Sequence, residues 1–386
     1  MVAFAALAGG KLADAQMVTV DSTGSVGQYS SLQLNGSGQP VISYFYSSEI
    51  NLRLASCTAN CNTASPTWQI VTVDSLGAVG EYTSLQLDTS GRPVVSYYDA
   101  TNSDLKLATC KSACTSPNPV WQIVSVDGSA AVGQHSSLQL HADNRPVVSY
   151  YDRTNGDLKL ATCTANCTGP NPTWQVVTID SADDVGWYTS LQLNASGQPV
   201  VSYFDRTNGD LKLASCTANC AGASPVWLIV TVDSAGTAGW YTSLQLGSTG
   251  QPVISYYDHT NRVLKVATCS AGCNSASPVW QIVVADSAGT VGWFTSLQLN
   301  ANNQPVVSYY STTGGDLKLA TCTARCGSAS PSWEIDVLDS ASDVGQHTSL
   351  QQDASGQLVL SYYDFANQDL KLARVDRLFQ NSFELP

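Results

Sequence analysis

Residues Trp174 to Val226 read WQVVTIDSADDVGWYTSLQLNASGQPVVSYFDRTNGDLKLASCTANCAGASPV, and this unit returns along almost the whole chain. Trp68, Trp121, Trp174, Trp227, Trp280 and Trp333 stand 53 residues apart, with no insertion or deletion between copies. Within the unit the apolar residues alternate with a period of two. Four runs, WQVVTID, YTSLQLN, PVVSYFD and DLKLASC, are rich in Val, Ile, Thr, Tyr and Leu. Each is bounded by Gly, Pro, Asn, Asp or Ser, the residues that favour turns, so each reads as a short strand. NASGQ before Pro199 and DRTNGD suit tight hairpins, because Asn and Gly tolerate positive φ. Four antiparallel strands per repeat of this length predict a β-propeller blade. Solenoid coils are usually shorter and need distinct caps.

The ends of the chain set the number of blades. Residues 17–21, MVTVD, match the Trp-bearing strand, but nothing before them completes a blade. At the other end GQHTSLQQ, QLVLSYYD and DLKLAR supply three strands with no Trp strand after them. Asp21, Asp74, Asp127, Asp180, Asp233, Asp286 and Asp339 mark seven copies of one corner. The expectation is an all-β, seven-bladed β-propeller of four-stranded antiparallel blades, its ring closed by the N-terminal strand, which leaves no free radial edge. The propeller is expected over residues 16–374, after a truncated signal segment at 1–15 and before a short tail at 375–386.

Composition narrows the partners. A formal net charge of −13 argues against nucleic acid, whose phosphates need a basic face. No apolar run is long enough for a membrane-spanning helix. The cysteines form six local pairs, Cys57/Cys61, Cys110/Cys114, Cys163/Cys167, Cys216/Cys220, Cys269/Cys273 and Cys322/Cys326, each placed at the end of the LKLA strand. No His recurs beside them to complete a zinc site, so disulfides are expected, with an oxidising compartment. Together with the apolar VAFAALA and the small-residue Ala13-Asp14-Ala15, they favour a secreted, extracellular or periplasmic monomer.

The line YTSLQLNASGQPVVSYFDRTNGDLKLA resembles the repeats of secreted bacterial propellers related to the sialidase, or Asp-box (BNR-like), superfamily, over residues 17–374. The resemblance implies the propeller fold and, for many members, carbohydrate binding. The Asp-box pattern S-x-D-x-G-x-x-W is not matched, because SYFDRTNGDL spaces its Ser, Asp and Gly differently.

Features repeated in every blade belong to the fold. They include Gly27, Gly80, Gly133, Gly186, Gly239, Gly292 and Gly345, the Gln of SLQL, and the Lys of LKLA, which stands opposite a strand tyrosine. The Gln is expected to bond across to the next blade and the Lys to pack on a ring. Features that differ between blades point to function. Trp187, Trp240 and Trp293 occupy one position of three adjacent blades, where the others carry Gln28, Glu81, Gln134 and Gln346. Asp205, Arg206, His259 and Arg262 lie in hairpins of the same face. Indoles beside Asp and Arg suit stacking on sugar rings and bonding of hydroxyls. The alternative is sideways packing against the next blade.

No residue pair stands out as catalytic, and no metal or cofactor is expected. The DxTNxD carboxylates repeat in most blades and read as turn formers. The expected function is a binding module for a glycan or another cell-surface ligand. A carbohydrate-active enzyme with its site at the same mouth is the first alternative, and a structural or adhesion module the second.

Overall fold

The computed structural model describes residues 15–375. The expected leader and tail lie outside them, apart from Ala15 and Val375. The described residues form seven four-stranded antiparallel sheets in a ring, with no helix among them. In the fourth blade the strands are Val185–Leu193 next to the axis, then Pro199–Asp205, Asp210–Ala218 and, outermost, Val226–Asp233. In the seventh, Val344–Gln352, Leu358–Asp364 and Asp369–Val375 are completed by Gln16–Asp21. Gln16 pairs with Arg374 and Met17 with Ala373 in that closing ladder. The innermost strands meet as well, where the Leu32 N–H donates to Ser349 Oγ at 3.0 Å. The ring is closed.

The local sequence explains each element. The second strand of six blades begins with Pro, at a first position that has no ladder donor to lose. This strand is buried along its whole length, because both of its faces meet neighbouring sheets. The core therefore lies in the seams. Leu158, Leu160 and Ile179 of one blade pack against Leu191, Val201 and Tyr203 of the next, with Trp227 at the edge. The recurrent Trp covers a seam. Near the axis, Ser190 Oγ accepts the Leu244 N–H at 3.0 Å, and the same bond recurs at the other seams. Gln86, Gln139, Gln245 and Gln298 bond across to the next blade as expected: Gln139 Nε2 donates to the Leu191 carbonyl at 3.1 Å.

The recurrent Lys has a second partner beyond its ring. Lys212 Nζ lies 5.8 Å from the centre of the Tyr203 ring and 2.8 Å from Asp180. Tyr203 Oη donates to the same carboxylate at 2.6 Å. Asp180 belongs to the corner of the preceding blade, so the cluster ties two blades together. Burial raises the Asp180 carboxyl, but bonds from Lys212, Tyr203 and the Ala182 N–H outweigh it and hold the group below its ordinary range.

The cysteines pair as expected, as Cys57–Cys61, Cys110–Cys114, Cys163–Cys167, Cys216–Cys220, Cys269–Cys273 and Cys322–Cys326, on the face opposite the Trp hairpins. The two cysteines of a pair are placed differently. Only the first cysteine of each pair belongs to the third strand, where it is buried. Cys61, Cys114, Cys167, Cys220, Cys273 and Cys326 lie beyond the strand, in the turn that follows. The reason is the residue just before each of them. Asn60, Ala113, Asn166, Asn219, Gly272 and Arg325 all take a positive φ, which ends the strand and turns the chain back. Each disulfide thus pins a turn to a strand end, closing a short loop worth about 2 kcal/mol by chain entropy. No helix among the described residues is long and apolar enough to cross a membrane.

Candidate functional site

The mouth with the three indoles is shaped by a bulge in each innermost strand. Gly186 has a φ of 100°, and Tyr188, a bulky residue, is held at 55°. In the ladder Trp187 opposes Phe204, but the next pair is Ser190 with Ser202. Two residues therefore face one, the pleat is interrupted and the aromatic side chain is re-aimed. All seven blades repeat this, so Tyr29, Tyr82, His135, Tyr188, Tyr241, Phe294 and His347 form a closed aromatic collar. Neighbouring ring centres are 4.3–4.7 Å apart and tilted by 44–62°, as expected for one ring carried round by a seventh of a turn. Each positive φ costs about 1–3 kcal/mol, offset in part by aromatic pairing of about 0.5–1.5 kcal/mol. A cavity of about 190 Å³ is lined by the collar and the hydroxyls beneath it. A second, of about 140 Å³, is lined by Ser, Leu and Gln of the innermost strands. No cysteine lines either cavity.

The collar escaped the sequence reading, although an aromatic or His two residues after the recurrent Gly in every copy signals it. Burial pushes the imidazoles of His135 and His347 down from 6.5 to about 3. The unfolded chain therefore takes up protons first, and stability falls as pH drops below 6.5 towards 3. Phe294 fills the same place in another blade, so the double variant His135→Phe/His347→Phe keeps the collar. Its melting temperature is expected to fall less than that of the parent between about pH 7 and pH 5, a window above ordinary carboxylate titration. Equal falls in the two proteins would refute the burial of neutral imidazoles.

Trp187, Trp240 and Trp293 form an outer arc beside the collar, and all three are half-buried. Their rings alternate with collar rings. Tyr188 lies 6.1 Å from both Trp187 and Trp240, and Tyr241 lies 5.6 Å from Trp293. Trp187 Nε1 donates to Asp184 at 2.9 Å, and Tyr151 Oη and Arg206 bind the same carboxylate at 2.7 and 2.9 Å. Burial raises Asp184, but these three bonds hold it below its ordinary range. The Arg206 guanidinium sits 5.0 Å from the centre of the Trp187 ring. His259 stacks on Trp240 at 4.6 Å and 18°. The Nε1 atoms of Trp240 and Trp293 are buried without a partner, as are those of the six repeat tryptophans. These two indoles therefore have ring surface to offer a ligand, and no N–H.

The structure thus joins Trp187 with Arg206 and Trp240 with His259, and it leaves Arg262 exposed in the His259 hairpin. Asp205 is buried, its oxygens engaged by the Asn208 N–H and Nδ2, and it holds its hairpin. Asp184 and Glu81 were not singled out from sequence. Glu81 takes the indole position in the second blade, is half-buried, and is raised by burial; its charge in turn adds to the rise at Tyr82, after burial. Among the described residues no group of three or more His, Cys, Asp or Glu is arranged to hold a metal ion.

No family model matches this chain, and no curated protein matches it in sequence. Solved structures do match in fold. The GH93 α-L-arabinofuranosidase of Fusarium graminearum, solved with arabinobiose, is 13% identical; the match covers 96% of this chain and 99% of that one, with a TM-score of 0.53. The α-L-arabinanase of Penicillium chrysogenum, also with arabinobiose, is 13% identical over 94% and 98% of the two chains, with a TM-score of 0.53. The polysaccharide lyase Uly1 is 9% identical over 97% and 94%, with a TM-score of 0.55. These likenesses do not single out sialidases. At such identities what is shared is the fold, and the chain is a seven-bladed β-propeller.

Proposed function

We propose that this chain is a secreted carbohydrate-binding module whose ligand lies across the mouth on the arc of Trp187, Trp240 and Trp293. The observation that carries this reading is the arc itself. Three half-buried indoles on adjacent blades, set against a collar of further rings, offer apolar ring surface beside polar groups of known position. Sugars present apolar C–H faces to such rings and hydroxyls to neighbouring polar groups. Arg206 and His259 flank two of the indoles, while Asp205 serves by holding the Arg206 hairpin. Spacing over adjacent blades suits a polymer, since weak contacts on one chain add by avidity. The disulfides fit an extracellular setting.

The test is a glycan array with the purified protein, followed by titration of tryptophan fluorescence. Retention of one glycan class with a saturable fluorescence change is expected. Retention of none would reject the reading and leave a protein-interaction module.

A glycosidase is the second reading, favoured by the raised carboxyl of Glu81 beside the collar and by the arabinan-processing enzymes among the fold neighbours. Release of reducing ends from arabino-oligosaccharides, lost in Glu81→Gln, would establish it. Binding without release supports the module.

A further inference from the structure

Resting on the carbohydrate reading, we infer that the fifth-blade corner of the mouth selects an anionic glycan, one bearing carboxylate or sulfate groups. The corner is the hairpin Asp258–Val263. In five other blades the second hairpin strand opens with an acid, Asp104, Asp157, Asp210, Asp316 or Asp369. Here Val263 stands in that place, buried, and Arg262 precedes it.

The other acid of the hairpin does not reach the surface. Asp258 is fully buried, bonded to Asn261 and paired with Lys265 at 2.7 Å. The links on either side, residues 234–237 and 287–290, carry no charge. Arg262 is exposed and makes no ion pair with any of the described residues, whereas Arg206 is paired with Asp184 at 2.9 Å. In a chain of net charge −13, Arg262 sets an exposed cation at the surface of this corner, while the acids nearest in the hairpin network, Asp233 and Asp258, are buried and share Lys265.

The corner also touches the arc on both sides. His259 of this hairpin stacks on Trp240. The Arg262 carbonyl accepts the Val291 N–H at 3.1 Å, two residues ahead of Trp293. A sugar seated on Trp240 or Trp293 thus brings its substituents to Arg262, whose planar guanidinium bonds carboxylate or sulfate with two parallel N–H groups.

The experiment titrates the parent and Arg262→Gln with polygalacturonate, a sulfated galactan, and neutral arabinan and cellulose oligomers, at low and high salt. Gln368 holds the equivalent left-handed position in the seventh blade (φ 61° against 60°), so the variant folds. The parent is expected to prefer one or both acidic polymers, and the better of the two identifies the anion. The variant should lose about tenfold on that polymer, as a charged hydrogen bond is worth about 1.5 kcal/mol or more, and nothing on neutral glycans. Added salt should weaken the parent more than the variant. Equal binding of neutral and acidic glycans, or an unchanged variant, overturns the anion assignment and leaves the carbohydrate reading standing. Binding of no glycan overturns both.

Discussion

Gly345→Ala is expected to destabilise the protein by about 3 kcal/mol or more, which makes it one of the most damaging single-methyl changes the fold can receive. The residue sits at a φ of 105°, and an added Cβ would lie 2.7 Å from the Leu317 Cα and 2.9 Å from its N. Those are backbone atoms of the preceding blade and cannot swing aside. Strain at positive φ costs about 1–3 kcal/mol, and overpacking adds about 1–3 kcal/mol. Gly36→Ala is the control. Nothing lies within 4 Å of that Cβ, and four other copies already carry Ala142, Ala195, Ala301 and Ala354 there. Urea denaturation should separate the two variants clearly; a neutral Gly345→Ala would mean that the blades do not approach as closely as described.

Asp286→Ala should cost about 3–5 kcal/mol, because it strands a buried lysine. Lys318 is 8% exposed and pairs with Asp286, itself 4% exposed, at 2.6 Å. In the fifth blade Lys265 has two acids, Asp233 at 3.0 Å and Asp258 at 2.7 Å. The sixth blade has Ser311 where the second acid would stand. Asp233→Ala leaves Lys265 a partner and should therefore cost less than Asp286→Ala by roughly 1–2 kcal/mol. Acid should act in the same direction. Burial raises the Asp286 carboxyl, but bonds from Lys318, Tyr309 and the Ala288 N–H leave it below its ordinary 3.8. Its contribution is complete above that value and is lost as pH falls through the lower folded one. Equal costs for the two alanine variants would contradict the one-acid, two-acid distinction.

The fold was legible because one unit recurs without a gap, and two partial ends add up to a blade. Period-two alternation placed every strand, and the Gly at each innermost strand foretold a backbone that no side chain could adopt. The cysteine pairing was legible from the spacing and from the lack of a recurrent His beside it, but the turn that carries Cys61 and its counterparts out of the strand depends on a positive φ at Asn60 that spacing does not reveal. The candidate site was legible in part. Trp187, Trp240 and Trp293 stood out as departures from the repeat, and the structure sets them in one arc. The collar did not stand out, since alternation assumes a regular pleat and the bulge at Trp187–Ser190 breaks it. Asp205 read as a ligand residue because its hairpin faces the mouth, yet its carboxylate is turned into its own turn. Asp184 was hidden for the opposite reason. It lies in a variable link, and only the folded chain brings Tyr151, Trp187 and Arg206 onto it.

Calorimetric titration of the parent and of Trp240→Gln, with the glycan that scores highest on the array, tests the central claim most directly. Gln28, Gln134 and Gln346 already fill that place in other blades, so the melting temperature should shift by no more than a few degrees. The affinity should fall about fivefold or more, as a stacked ring contributes about 1 kcal/mol beyond its burial. Unchanged affinity in a folded Trp240→Gln would place the ligand elsewhere. A collapse of the melting temperature, with no glycan bound by the parent, would make the arc packing alone.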